Sequence, residues 1–345
     1  MFFGALCSPL IALIASTVAV SAAPGLSLKV TGSDTITDVE NLKVVTTITN
    51  TGTETLKLLN DPLSPLSKLP AKTFTIADAR GHSPAFVGIR AKYVPSTAIA
   101  AGQDALTILH PGQSINVNHD LSEAYNFTLT SEGAYTIEAR NLFYVVDAYN
   151  KASTLYANTA GAHITKLFGK LAVARPAVSR RMKYTSCTPS QQLQLVTAAS
   201  QAQTYANTSS SYASTHTSNT TRYTTWFGPY TNNIAAHFSK LNDNTYSSYN
   251  YDCSCTDRST YAYVYPDEFG TVTLCGAFWS APMLGTDSKG GTLIHESSHF
   301  TANGGTEDYA YGQSACKELA RINSSAAINN ADSHEYFAEN SPSLS

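Results

Sequence analysis

The chain has 345 residues, 43% hydrophobic and 14% charged, with a formal net charge of −3 at pH 7. That length allows two domains, and the mildly acidic balance shows no nucleic-acid footprint. Beyond the N-terminal segment no apolar run is long enough for a transmembrane helix.

Residues 1–23 are mostly apolar through Val20 and end in Ser21, Ala22 and Ala23. This reads as a secretory signal peptide, although it lacks a basic start and Pro24 disfavours cleavage directly before it. A secreted, extracellular protein without a membrane anchor is expected. Residues 24–182 read as an all-β, sandwich-like domain. Residues 26–30 and 42–49 alternate or are β-branched, Asn50-Thr51-Gly52 turns the chain into residues 55–59, and residues 134–139 form another candidate strand. His82, His110, His119 and His163 are scattered there and make no constellation. The region holds no cysteine, which rules out latency through a thiolate on a metal. It reads as a propeptide that assists folding or keeps the rest latent.

Arg180-Arg181 is a dibasic processing signal, and Met182-Lys183 follows it at once. Residues 183–345 then read as an α+β, mainly helical domain. Residues 190–214, rich in Ala, Gln and Ser, predict one long helix or a helix pair. Residues 261–278 are aromatic and β-like and predict a small sheet. This half carries seven Lys and Arg against thirteen Asp and Glu, and only four of the thirteen lysines of the chain. Asn126, Asn207, Asn219 and Asn323 head N-x-S/T triplets and permit glycosylation.

The chemistry sits at His295-Glu296-Ser297-Ser298-His299. Two histidines four apart project from one helix face and can share a zinc ion, while the intervening Glu is placed to take a proton from a metal-activated water. Asn303-Gly304-Gly305 then ends the helix and can swing the following segment back toward the metal. The residue six beyond His299 is Gly305, not a third histidine. Glu318 is available on a later helix, but Asp308 has the better context, in Gly304-Gly305-Thr306-Glu307-Asp308-Tyr309-Ala310-Tyr311-Gly312.

HExxH followed by GTxDxxYG resembles the aspzincins, the deuterolysin-like zinc metalloendopeptidases. Residues 222–228, 261–279 and 330–340 further resemble the peptidyl-lysine metalloendopeptidases of mushrooms, so the likeness spreads over most of residues 183–345. The resemblance implies a zincin-type fold with one zinc ion. Its ligands would be His295, His299 and Asp308, the general base Glu296, and the oxyanion donor Tyr311, with Tyr309 a nearby rival. It also implies disulfides Cys187–Cys253 and Cys255–Cys275, which leave Cys316 unpaired. Asp332 and Glu335, three apart and so on one helix face, would line the pocket for the residue after the scissile bond. Two carboxylates suit the point charge of a lysine ammonium.

The expected activity is hydrolysis of peptide bonds on the N-terminal side of lysine, on protein or peptide substrates, by a monomer once mature. Part of residues 261–274 would hold extended substrate by backbone pairing. The Met182–Lys183 bond would then be a self-processing site, giving a mature chain that begins near Lys183. Two other readings stay open: a deuterolysin-like endopeptidase of broader preference, and a secreted binding protein that has lost catalysis.

Overall fold

The computed structural model of the protein describes residues 25–173 and 184–345. The signal-like segment and the processing residues Arg181, Met182 and Lys183 lie outside them.

The N-terminal region is built from three four-stranded sheets sharing two cores. In the central sheet Leu26–Gly32, Lys43–Asn50 and Ser114–Asp120 run antiparallel. Their inward positions split along the strands. Val30 and Val44 pack with Phe74, Ile76, Ile137 and Leu167 of a second sheet. Leu28, Ile48 and Val117 pack with Leu58, Leu109 and Phe143 of a third. The period-2 alternation of the sequence thus reports burial, as in a sandwich. The region is not purely β. Pro95–Ala101 forms a short helix, with Pro95 in its first turn, where a missing N–H is harmless.

One strand leaves the sandwich. Arg90–Tyr93 joins the edge of the sheet of the C-terminal region, antiparallel to Thr260–Val264, with Lys92 opposite Ala262 and Ala91 opposite Tyr263. That five-stranded sheet continues through Thr271–Leu274, Asn250–Asp252 and Tyr184–Thr185.

Residues 190–214 form one helix, not two. Pro189–Thr215 opens with a capping box, in which Thr188 and Gln191 satisfy each other's backbone N–H. It buries Leu195, Ala198, Ala199, Ala202 and Ala206, a stripe of small residues that admits close neighbours. The helix Lys289–His299 packs between this long helix and Ala331–Glu339, and all of its residues are buried. Such approach needs glycine at position 291, where a Cβ would overlap the Glu339 carboxylate. Cys187–Cys253 and Cys255–Cys275 are bonded, and Cys316 is free and buried.

Candidate active site

Ser288 caps the helix Lys289–His299 by accepting from Gly291 N at 2.9 Å. After His299 the backbone turns through Gly305, whose φ of 58° is the left-handed conformation glycine tolerates. Thr306 N then donates to Ser298 O at 3.1 Å, and the segment folds back over the helix. Asn330 holds it there. Its Oδ1 accepts from Tyr309 N at 2.9 Å and Ala310 N at 3.0 Å. Beside it Glu307 and Asn330 form an isolated parallel bridge.

The turn brings three donors together. His295 Nε2 and His299 Nε2 each lie 3.3 Å from Asp308 Oδ1. All three atoms are buried and have no hydrogen-bond partner. Orphaned buried polar atoms converging on one point are what a metal site requires. The spacing suits a tetrahedral zinc, whose bonds of ~2.0–2.1 Å separate its ligands by about 3.4 Å. Asp332 Oδ1 lies 2.8 Å from His295 Nδ1, a close contact without hydrogen-bond alignment. His299 Nδ1 lies 2.8 Å from the Thr306 carbonyl. Each imidazole thus faces an oxygen on the side away from Asp308, hydrogen-bonded for His299 and in close contact for His295. The alternative ligand Glu318 stays on the surface, paired with Arg321 at 2.6 Å.

Glu296 is buried beside these donors, and burial pushes its carboxyl up to about 8. The hydroxyl of Tyr311 points into the cleft from a buried position, whereas Tyr309 is 53% exposed.

The cleft is filled by the strand Arg90–Tyr93. Lys92 N donates to Glu296 Oε1 at 3.0 Å. The Ala91 carbonyl accepts from Tyr311 OH at 2.8 Å, and Ala91 N donates to Asp308 Oδ2 at 3.1 Å. The Lys92 side chain is wholly buried. Its ammonium lies 2.6 Å from Glu335 Oε2, 3.2 Å from Asp287 Oδ1 and 3.6 Å from Asp332 Oδ1. The rings of Tyr261 and Tyr336 flank it at 5.1 and 5.6 Å. Burial alone would depress the Lys92 ammonium, but the three carboxylates hold it well above its ordinary value. For Asp332 burial is outweighed by Lys92 and His295, so its carboxyl is lowered. Glu335 is raised by burial, with the like charge of Asp332 adding to it. Behind them burial and Glu335 push Glu339 up to about 9. It accepts from Ser288 N and Oγ at 2.8 Å.

Of the site residues singled out in the sequence, His295, Glu296, His299, Asp308, Tyr311, Asp332 and Glu335 lie together in this cleft, whereas Glu318 and Tyr309 do not. Sequence reasoning missed Asp287, Tyr261, Tyr336, Glu339 and Asn330, and it missed the strand Arg90–Tyr93. Asp287 was the hardest, since it stands outside any motif, at φ 54° just before the helix cap. Nothing in the sequence marks that strand: Lys92 differs from the other lysines of its region only in being buried.

A family model described as lysine-specific metallo-endopeptidase matches residues 212–339. The chain is 53% identical to a peptidyl-Lys metalloendopeptidase of Grifola frondosa, over 98% of this chain and 99% of that one. It is 54% identical to one of Armillaria mellea, over 97% of each. A third, from Pleurotus ostreatus, is 60% identical over 47% of this chain and 98% of its own length. A solved zinc peptidase from Grifola frondosa is 57% identical, covering 46% of this chain and all of that one, with a TM-score of 0.46. The family model and these relatives define a zinc metalloendopeptidase. The chain belongs to the aspzincin family, among the peptidyl-Lys metalloendopeptidases. The reading as a binding protein without catalysis is thereby set aside.

Proposed function

We propose that this enzyme is secreted, is made as a precursor, and cleaves peptide bonds on the N-terminal side of lysine. The observation that carries the proposal is Lys92: its ammonium is buried among Asp287, Asp332 and Glu335 while its backbone N–H lies on Glu296. A buried lysine is tolerated only where its charge is paired, so a pocket that accepts this one has the chemistry to select lysine. The relatives' names point the same way.

In the mechanism His295, His299 and Asp308 would hold the zinc ion. When bound, the ion supplies an activated water and polarises the substrate carbonyl. Glu296 takes the proton from the attacking water and passes it to the leaving nitrogen. The 3.0 Å contact from Lys92 N to Glu296 Oε1 supports that second transfer. Tyr311 donates to the carbonyl oxygen as it gains charge, the role its 2.8 Å bond to Ala91 O supports. The strand Thr260–Val264 aligns extended substrate by backbone pairing.

Residues 24–182 act as the propeptide and residues 183–345 as the catalytic unit, a monomer once mature. A relative matched over 98% of its own length by 47% of this chain supports that division. Secretion is supported by the signal-like residues 1–23 and by a 35% identical relative named extracellular protease, from Aeromonas hydrophila. The test is to digest an unfolded protein with the matured enzyme, with and without a chelator, and read the new N-termini. Chelator-sensitive fragments beginning with lysine support the proposal. Zinc-dependent but scattered cleavage removes the lysine pocket and keeps the catalytic reading.

A further inference from the structure

The geometry points to Arg90–Tyr93 as a substrate tethered within the chain, and to Ala91–Lys92 as the bond the precursor cuts first, in itself. The inference rests on the lysine-selective reading above.

Four features fix the register. The strand runs antiparallel to the sheet edge and pairs with Thr260–Val264, so its backbone is extended as a substrate's must be. The carbonyl of Ala91 is on the hydroxyl of Tyr311. The nitrogen of Lys92 is on Glu296. These are the two ends of one peptide bond, each facing the group that would act on it. The side chain after that bond enters the acidic pocket at full burial. A segment docked merely to block the cleft has no need to satisfy all four, and a reversed strand would satisfy none of the last three.

A further subsite follows on the other side of the bond. The guanidinium of Arg90 lies 2.7 Å from Glu307 Oε1 and donates to the carbonyls of Gly305 and Thr306. Glu307 neighbours Asp308, so the segment that supplies a metal donor also supplies an acid for a basic residue two before the new N-terminus. The sequence Arg90-Ala91-Lys92 therefore matches its own cleft at three successive positions.

The step balances without any redox partner. Water adds across the Ala91–Lys92 amide: its hydroxyl goes to the Ala91 carbonyl carbon, its proton to the Lys92 nitrogen, and the C–N bond breaks. The products are a carboxylate at Ala91 and an ammonium at Lys92. Before the cut the strand excludes every other substrate. Afterwards it is two chain ends, no longer held across the cleft from both sides.

The test uses the full chain, purified free of metal and then given one equivalent of zinc. Intact mass and N-terminal sequencing should find a fragment ending at Ala91 and a new N-terminus at Lys92. The rate constant should be unchanged over a tenfold range of chain concentration, and no cut should appear in Glu296→Gln. A second readout needs no turnover. In the Glu296→Gln chain, a fluorescent peptide with one internal lysine should bind at least tenfold tighter when Lys92→Gln is added, because the pocket then loses the ammonium that competes for its three carboxylates. A chain that stays whole at Ala91–Lys92 while its matured form cuts peptides before lysine overturns the inference and leaves the lysine reading intact. Equal peptide affinity in a folded double variant overturns it as well. If Lys92→Gln does not fold, the mass readout on the unsubstituted chain decides alone. Matured enzyme that cuts without regard to lysine removes the reading beneath it, and the inference with it.

Discussion

Glu335→Gln is the sharpest perturbation of the pocket, because it removes a charge and little volume. Among the three acids around the Lys92 ammonium, Glu335 is nearest at 2.6 Å, against 3.2 Å for Asp287 and 3.6 Å for Asp332. By inverse distance it carries roughly two fifths of the attraction. Two acids remain, so the ammonium is not stranded, and the loss should be that of one short ion-pair contact, comparable to a hydrogen bond to a charged group at ~1.5–3 kcal/mol. At 1.36 kcal/mol per decade this is a fall of about 10- to 150-fold in kcat/KM on lysine peptides. The assay compares two peptides that differ only after the scissile bond, one with Lys and one with Ala, on matured enzyme. Glu335 Oε2 also lies 3.5 Å from His295 Nδ1, so zinc content must be measured alongside. An equal loss on both peptides at full zinc occupancy would refute the pocket assignment, since a charge partner of lysine cannot act on alanine.

Glu296→Gln should lower kcat by ~10²–10⁴ while zinc stays bound, which metal analysis and peptide kinetics check together. Tyr311→Phe should lower kcat by ~10²–10³ with KM nearly unchanged, and a pure KM effect would place the hydroxyl in binding instead. Asp308→Asn, or chelation, should abolish hydrolysis, and restored zinc at ~1,000 times its Kd should raise stability by about 4 kcal/mol in denaturant titration. In the N-terminal region burial lowers His119 to about 4, and its Nε2 lies 3.0 Å from Thr46 Oγ1. A histidine depressed on folding is protonated first in the unfolded chain. Its contribution, up to about 3 kcal/mol, is therefore complete above pH 6.5 and lost as pH falls toward 4. Urea midpoints at pH 7 and pH 5 should separate in the full chain and separate less in His119→Gln, other depressed histidines such as His334 remaining in both; the same separation in both would count against it.

The catalytic motif was legible because its chemistry is local. His295 and His299 are one helical turn apart, Asp308 follows a glycine turn, and these spacings fix the donors to within a few residues. The sandwich was legible for a similar reason, since Leu26, Leu28 and Val30 alternate with exposed or half-buried neighbours. Lys92 shows where local reading stops. In the sequence it is one of nine lysines of the N-terminal half, in a stretch with no periodicity to mark it. Its meaning lies in contacts with Asp287, Glu296, Asp332 and Glu335, which lie 195 to 243 residues further along the chain. Asn330 was hidden in the same way, because an amide that splints two backbone N–H groups leaves no pattern.

In the proposed precursor the acidity of the pocket would link folding to latency. Asp332, Glu335 and Glu339 are all buried on one helix, Ala331–Glu339, and Asp287 closes the same space. Burial, with the like charge of Glu335 adding to it, pushes the Glu339 carboxyl up to about 9. Asp332 stays ionised only because Lys92 and His295 face it. Removing one partner of such a buried set costs ~3–5 kcal/mol, a large share of a domain's stability. A chain that must bury this pocket to form its helix packing therefore folds more readily with a lysine already in it. On the lysine-selective reading proposed above, exchange of that cation for solvent would leave the same carboxylates as a site that favours a lysine, because they are unsatisfied without one. On that reading the strand Arg90–Tyr93 and a lysine substrate would answer the same electrostatic demand.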